Sequence, residues 1–254
     1  MRIMAMLVLV SLLFALISSS VYGAIPEPLE RAVAKLVADA DHWAYSQEVN
    51  EFDKNGKSNG GPTRERFDPS RPDAEQWSLQ LYRGRIPTDS DIRDWQRQKR
   101  REAKRRERPL GEIIDFERAS LAEEKPEAWV YRLPIKPGAS RRLPADKFFV
   151  LMTVGKDRVE VENVSVRTTE SFRLNGLAGL AAKVEGVEIN ARFAVVDEKY
   201  AAQPALITAS GSARVAWLFR VGGKAEVIWT EFQRVKPYRD RFDVKIGDVK
   251  ALDF

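Results

Sequence analysis

Apolar residues recur along this chain with two periods, and the switches between them mark its elements. Leu29, Val33, Leu36 and Val37 follow Pro26 and Pro28 at helical spacing, which predicts an amphipathic helix from about Glu27 to Asp39. From His42 to Phe52 the period becomes two: Trp43, Tyr45, Gln47 and Val49 share one face, and Ala44, Ser46 and Glu48 the other. Such alternation marks a half-buried strand. Residues 53–62 are dense in turn formers and read as a loop. Arg64 to Phe67 predicts a short strand, and Gln76 to Tyr82 another with Trp77, Leu79 and Leu81 on one face. Thr88 and Asp91 have the spacing of a capping box, with Asp in place of Glu, so a helix is expected from about Asp89 to Arg106. Ile92, Trp95 and Ala103 are its apolar residues, a stripe so thin that most of the helix should face water.

Beyond Pro109 the pattern is β. Strands are expected at Ile113 to Arg118, at Glu127 to Leu133 and from Phe148 through Val154, where a turn at Gly155 leads into Val159 and Val161. Val164 to Leu174 continues the meander, and Val187 to Val196 returns to strand character. Leu177 to Val184 fits either helix or strand. Near the end, Val215, Trp217, Phe219 and Val221 alternate, and Gly222-Gly223 reads as a two-residue hairpin turn before Ala225 to Arg234 runs back. Antiparallel hairpins with two helices predict an α+β domain built on one large, strongly curved sheet. No strand leads through a glycine-rich phosphate loop into a helix, which argues against a doubly wound nucleotide-binding fold.

The N-terminus changes the setting. Arg2 precedes a charge-free run from Met4 to Ile17, and small residues follow at Gly23 and Ala24. This is the layout of a secretory signal peptide cut after Gly23, because the apolar run is shorter than the ~20 residues of a membrane span. The expected organisation is a signal peptide over 1–23, one domain over 24–236 with a basic helical insertion at 87–109, and a charged tail over 237–254. A periplasmic location follows, with nucleic acid not a partner. The chain has no cysteine, which removes disulfides, thiolate metal sites, cysteine nucleophiles and a lipidated N-terminal Cys.

Charge is concentrated. Between Arg93 and Arg108 nine Lys/Arg face three acids, while the remainder of the chain is nearly neutral. Arg97, Lys99, Arg100, Arg101, Lys104, Arg105 and Arg106 form the candidate anion-binding set, with anionic lipid headgroups or envelope polymers as the ligands of an exported protein. The bland alternative is a solvated face. The aromatic strand faces offer a second candidate: Trp43, Tyr45, Trp77, Leu79, Trp129, Tyr131, Phe148, Trp217 and Phe219 would line an apolar concavity for an acyl chain if the curved sheet is only partly covered. Otherwise they are core. Catalytic signals are poor, with one histidine, His42, and no Gly-x-Ser-x-Gly turn. Asp68, Asp115, Glu117, Glu123 and Glu124 are scattered acids with no metal-ligand spacing, so no cofactor or metal is expected.

A signal peptide, a leading amphipathic helix and Trp43-Ala44-Tyr45-Ser46-Gln47 opening a run of antiparallel strands resemble the LolA-like and LolB-like lipoprotein carriers. The likeness would cover about residues 27–235. It implies a half-barrel sheet closed around helices, with an apolar concavity for acyl chains. Arg64-Glu65-Arg66-Phe67-Asp68-Pro69 and Gln76-Trp77 loosely echo the carriers' basic-Pro stretch and Arg-Trp pair, while the basic insertion at 87–109 is larger than that family's pattern. The leading expectation is therefore an exported, non-enzymatic binder of a lipid or acylated ligand, docked through its basic helix to an anionic membrane surface or envelope protein. The alternatives are an envelope structural or interaction protein without a ligand cavity, and a carboxylate-dependent hydrolase.

Overall fold

A computed structural model describes residues 25–103, 110–139, 144–177, 180–215 and 219–241. Helix α1 (Glu27–Asp39) leads, followed by β1 (Trp43–Asp53), β2 (Thr63–Phe67), β3 (Trp77–Leu81), helix α2 (Asp89–Ala103) and the short helix α3 (Leu110–Ile113). The rest is antiparallel strand: β4 (Ser120–Glu124), β5 (Ala128–Pro134), β6 (Phe148–Gly155), β7 (Glu160–Thr168), β8 (Phe172–Leu177), β9 (Leu180–Ala194), β10 (Gln203–Val215) and β11 (Phe219–Arg234). One open sheet holds all of them in the order β3-β2-β1-β11-β10-β9-β7-β6-β5-β4, with β8 paired to β9 off that path.

The sheet curves because its core requires it. Seven neighbouring strands, β1, β11, β10, β9, β7, β6 and β5 in sheet order, each send side chains into one cluster with Leu29, Ala32 and Leu36 of α1. Laid flat, seven strands at ~4.8 Å spacing would span about 29 Å, far wider than a helix of ~10 Å. Only a trough lets Val49 at one side and Leu133 at the other pack against the same cluster. Positions 150, 152 and 154 of β6 and 189 and 191 of β9 point into it and are almost fully buried. The fold is thus an α+β half-barrel, with α1 lying in the trough against β7 and β6. Leu29 is 0 % exposed, and burying a leucine contributes about 1.5–3 kcal/mol.

Two expectations are corrected. Ile113 to Arg118 is not a strand: α3 and a 3-10 turn (Phe116–Arg118) occupy the segment. Leu110, Ile113 and Ile114 have i, i+3, i+4 spacing, so winding rather than extension puts their side chains on one side. Ile114 and Phe116 are buried in the trough beside α1. Gly222-Gly223 is not a turn either; both lie inside β11, paired with Ser212 and Gly211 of β10. A Cβ on Gly222 would meet the Gly211 carbonyl oxygen at 2.7 Å, and one on Gly223 the Phe52 oxygen at 2.6 Å. With Gly186 of β9 paired to Ser212 of β10, these glycines cross three strands as a crease where backbones approach closely.

A second irregularity sits at the opposite end of β11. The β1–β11 register slips between Ala44 and Ser46, and Glu231 takes φ 55, left-handed for a non-glycine residue. Its side chain accepts the Ser46 hydroxyl at 2.5 Å and its carbonyl accepts Arg66 at 2.8 Å, which holds the bulge in place. Past β11 the chain stays attached: the Tyr238 amide donates to the Pro69 carbonyl, and a 3-10 turn (Arg239–Arg241) follows.

Candidate functional site

The trough has two covers. Under α1 it is filled. At the β1–β3 side it is floored by Tyr45, Gln47, Glu65, Phe67, Trp77 and Leu79, which the pairings Tyr45↔Phe67, Gln47↔Glu65, Glu65↔Leu79 and Phe67↔Trp77 align on one face. Rings stack across it, with Phe67–Trp77 centroids 4.9 Å apart and Tyr45–Phe67 5.2 Å apart. Over this patch lies α2.

The capping box starts that helix. The Thr88 amide donates to Asp91 at 2.8 Å and the Asp91 amide donates back to Thr88 Oγ1 at 3.3 Å. Arg85 adds a two-pronged contact at 2.8 and 3.2 Å. Hydrogen bonding from Arg85 first, then from the Thr88 hydroxyl and amide, holds the Asp91 carboxyl far below the usual carboxylate range. Trp95 and Lys99, one turn apart, face inward. Trp95 is 8 % exposed and donates its indole N–H to Glu65 Oε1 at 2.5 Å. Lys99 reaches Glu65 Oε2 at 2.7 Å with its ammonium 4.0 Å from the centroid of the Trp77 ring. Gln47 donates to the same oxygen at 2.6 Å. Glu65, 7 % exposed, is therefore a buried carboxylate with three side-chain donors.

On the opposite side, Arg93, Arg97, Arg100 and Arg101 are exposed, and Arg97 also pairs with Asp94. Lys99 does not join them, because its charge is directed at Glu65 and Trp77. Lys104, Arg105 and Arg106 lie outside the described residues.

The seven aromatic-face residues whose side chains are described divide among four places. Tyr45, Trp77 and Leu79 form the patch beneath α2. Trp43 is 3 % exposed and packs edge-on against Tyr200 and Phe232, with the Arg234 guanidinium 4.2 Å from the Tyr200 ring centroid. Tyr131 is buried in the main core with Trp129 packed against it, and burial together with the charge of Glu124 pushes the Tyr131 hydroxyl up. Phe148 belongs to a smaller cluster with Phe172 and Val184 near the glycine crease. Trp217 lies outside the described residues, and of Phe219 only the backbone, opening β11, is described. Sequence reasoning missed Glu65 and Trp95 as partners. The available signals were Trp95 and Lys99 at i, i+4 on a charged helix and Glu65 in phase with Phe67.

Of the scattered acids, Glu124 is lowered by its hydrogen bond from Lys156. Asp68 is lowered too: burial raises it, but the Ser70 hydroxyl and amide and Arg71 outweigh that. His42 lies 3.7 Å from Asp240, where the C-terminal turn meets the start of β1. Among the described residues no helix is long and apolar enough to cross a membrane.

No protein-family model matches the chain, and no curated protein matches it. Among solved structures it is similar to a LolA superfamily protein from Nitrosomonas europaea, at 12% identity over 86% of this chain and 96% of that one, with a TM-score of 0.39. The likeness is one of architecture.

Proposed function

We propose that this chain is an exported, non-enzymatic protein of the cell envelope that binds a lipid or acylated ligand on the apolar side of its half-barrel and docks to anionic surfaces through α2. The two-sidedness of α2 carries this reading. Its inner side covers an aromatic patch with one buried tryptophan and a polar contact, while its outer side presents Arg93, Arg97, Arg100 and Arg101. A solvated helix needs no such division, and clustered guanidinium groups near an anionic bilayer contribute about 1 kcal/mol each. The leading segment supports export, and mass determination of the N-terminus of envelope-fractionated protein tests it.

Native mass spectrometry after mild purification tests the ligand. Co-sedimentation with vesicles containing anionic phospholipid tests docking, comparing wild type with the Arg97→Gln/Arg100→Gln/Arg101→Gln variant. A co-purifying lipid, and vesicle binding that weakens and loses salt dependence in the variant, support the reading. A bare chain with unchanged vesicle binding overturns it. That outcome would favour the second reading, an envelope interaction protein without a ligand, which has the filling of the trough by Leu29, Leu36, Ile114 and Phe116 on its side.

A further inference from the structure

At the end of the half-barrel where the β6–β7 turn meets the last turns of α1, two hollows lie side by side. One, of about 430 Å³, opens between Lys35 and Ala38 of α1 and residues 198–201. The other, of about 390 Å³, is lined by Val161, Phe193, Val195 and Ala202 among others. Both fall within the range of small-molecule sites, roughly 300–1,000 Å³. Arg158 and Glu160 line both and form the wall between them.

That wall is built firmly. Glu160 is 7 % exposed and receives Arg158 Nε and Nη2 at 3.1 and 3.0 Å and the Ala202 amide at 3.3 Å, while Lys35 stands 3.8 Å away. Arg158 also donates to the carbonyls of Glu198 at 2.9 Å and Tyr200 at 2.7 Å. The Glu160 charge is thereby neutralised. One Nη1 hydrogen of Arg158 is left over. Lys35 is 43% exposed along its side chain, and the Lys199 ammonium has no ion-pair partner among the described residues. The second hollow differs in character. Beside it Val195 and Val196 are 47% and 41% exposed, two of only four large apolar side chains so exposed among the described residues.

We propose that the joined hollows bind a single-chain anionic amphiphile, its carboxylate or phosphate head on Lys35, Lys199 and Arg158 and its alkyl tail across Val195 onto the half-buried Phe193. Charge fixes the orientation. Asp157 and Glu162 stand at the second hollow, beside the Arg158–Glu160 pair, and repel an anionic head there, and burial together with the charge of Glu127 pushes the Glu162 carboxyl up. The carbonyls ending α1, with about half a charge, and the carboxylates of Glu160 and Glu198 oppose an anion at the other hollow, against the cations of Lys35, Lys199 and Arg158, which leaves that hollow weakly positive where the second is negative. The site rests on the reading that the protein takes an acylated ligand, and places that ligand apart from the patch beneath α2.

Titration of the full chain with 11-(dansylamino)undecanoic acid tests it, with dodecanol as an uncharged competitor. Lys199→Gln alone should weaken binding about three-fold, Lys35→Gln/Lys199→Gln about ten-fold, and Val195→Ser about three-fold, with Leu121→Ser on the exposed edge strand β4 unchanged and dodecanol a poor competitor. All three substitutions are at exposed or half-exposed side chains, and circular dichroism verifies their folding. Binding that survives those variants but is lost in Trp77→Ala overturns this site and leaves an acyl-binding function standing. No binding by any form, with no lipid on the purified protein, overturns both.

Discussion

Substituting Glu65→Gln should release α2 from the half-barrel before the sheet unfolds. The carboxylate accepts from Gln47, Trp95 and Lys99 at 2.5 to 2.7 Å. A glutamine keeps the shape, but its NH2 group confronts donors at one of the two oxygen positions and the Lys99 ammonium loses its contact with the Glu65 carboxylate. Breaking a fully buried pair costs about 3–5 kcal/mol. Lys99 is 22% exposed, so water recovers part of that, and about 2–4 kcal/mol is expected. This rivals the ~1.5–3 kcal/mol that burying an apolar side chain such as Trp95 supplies. Amide exchange across 89–103 should therefore accelerate by roughly 30- to 1,000-fold, at about 1.4 kcal/mol per tenfold, while β6 and β9 amides change little. A double-mutant cycle with Lys99→Met should return a coupling of about 1–3 kcal/mol. Exchange in α2 within about three-fold of wild type, together with an additive cycle, would refute the role assigned to Glu65.

Gly222→Ala should destabilise the protein by about 1–3 kcal/mol in urea, since the new Cβ meets backbone at 2.7 Å. Gly138→Ala, at φ 78 with nothing within 4 Å, should cost only about 1 kcal/mol; the reverse ranking would remove the close-approach account of the crease. The Asp91 carboxyl is depressed in the folded state, so its contribution is complete above the ordinary aspartate value of ~3.9 and is lost as pH falls through the lower folded value. Asp91→Asn should therefore lower stability at neutral pH, by a difference that narrows below about pH 4; a gap that widens on acidification would contradict that sign.

How much of this was readable in the sequence depends on how far each element relies on its own residues. The bounds of α1 follow from the spacing of Leu29, Val33 and Leu36, and β3, β5 and β6 follow from alternation, because each covers one face more than the other; β1 alternates in sequence but buries Ala44 and Ser46 as well as Trp43 beside its bulge. The edge strand β4 carries no such signal: its five residues are all exposed, and only pairing with β5 makes it a strand. Leu110 to Phe116 misleads, since a short apolar run satisfies strand and helical turn alike, and the choice is made by the space beside α1. Gly222-Gly223 misleads for a related reason. A glycine pair serves equally as a tight turn or as a place for two backbones to meet, and only the neighbouring strand decides. The site divides the same way. That Trp77 and Tyr45 share a face follows from period two, whereas the meeting of Glu65 with Lys99 is tertiary.

The energetics of the two covers decide where a ligand can gain access. Lifting α1 would expose Leu29, Ala32 and Leu36, now at most 9 % exposed, along with the half-buried Val33 and Val37. At about 1.5–3 kcal/mol per large aliphatic side chain, that approaches the whole stability of a typical domain, ~5–15 kcal/mol. Lifting α2 exposes Trp95, uncovers more of the already half-exposed Tyr45, Phe67, Trp77 and Leu79, and separates one ion pair whose partners water can resolvate. The hollows beside Arg158 and Glu160 require neither. Ligand entry should therefore leave α1 seated and act at the α2 side or at that rim, and exchange measured with bound amphiphile should show protection there while α1 amides stay as slow as in the free protein.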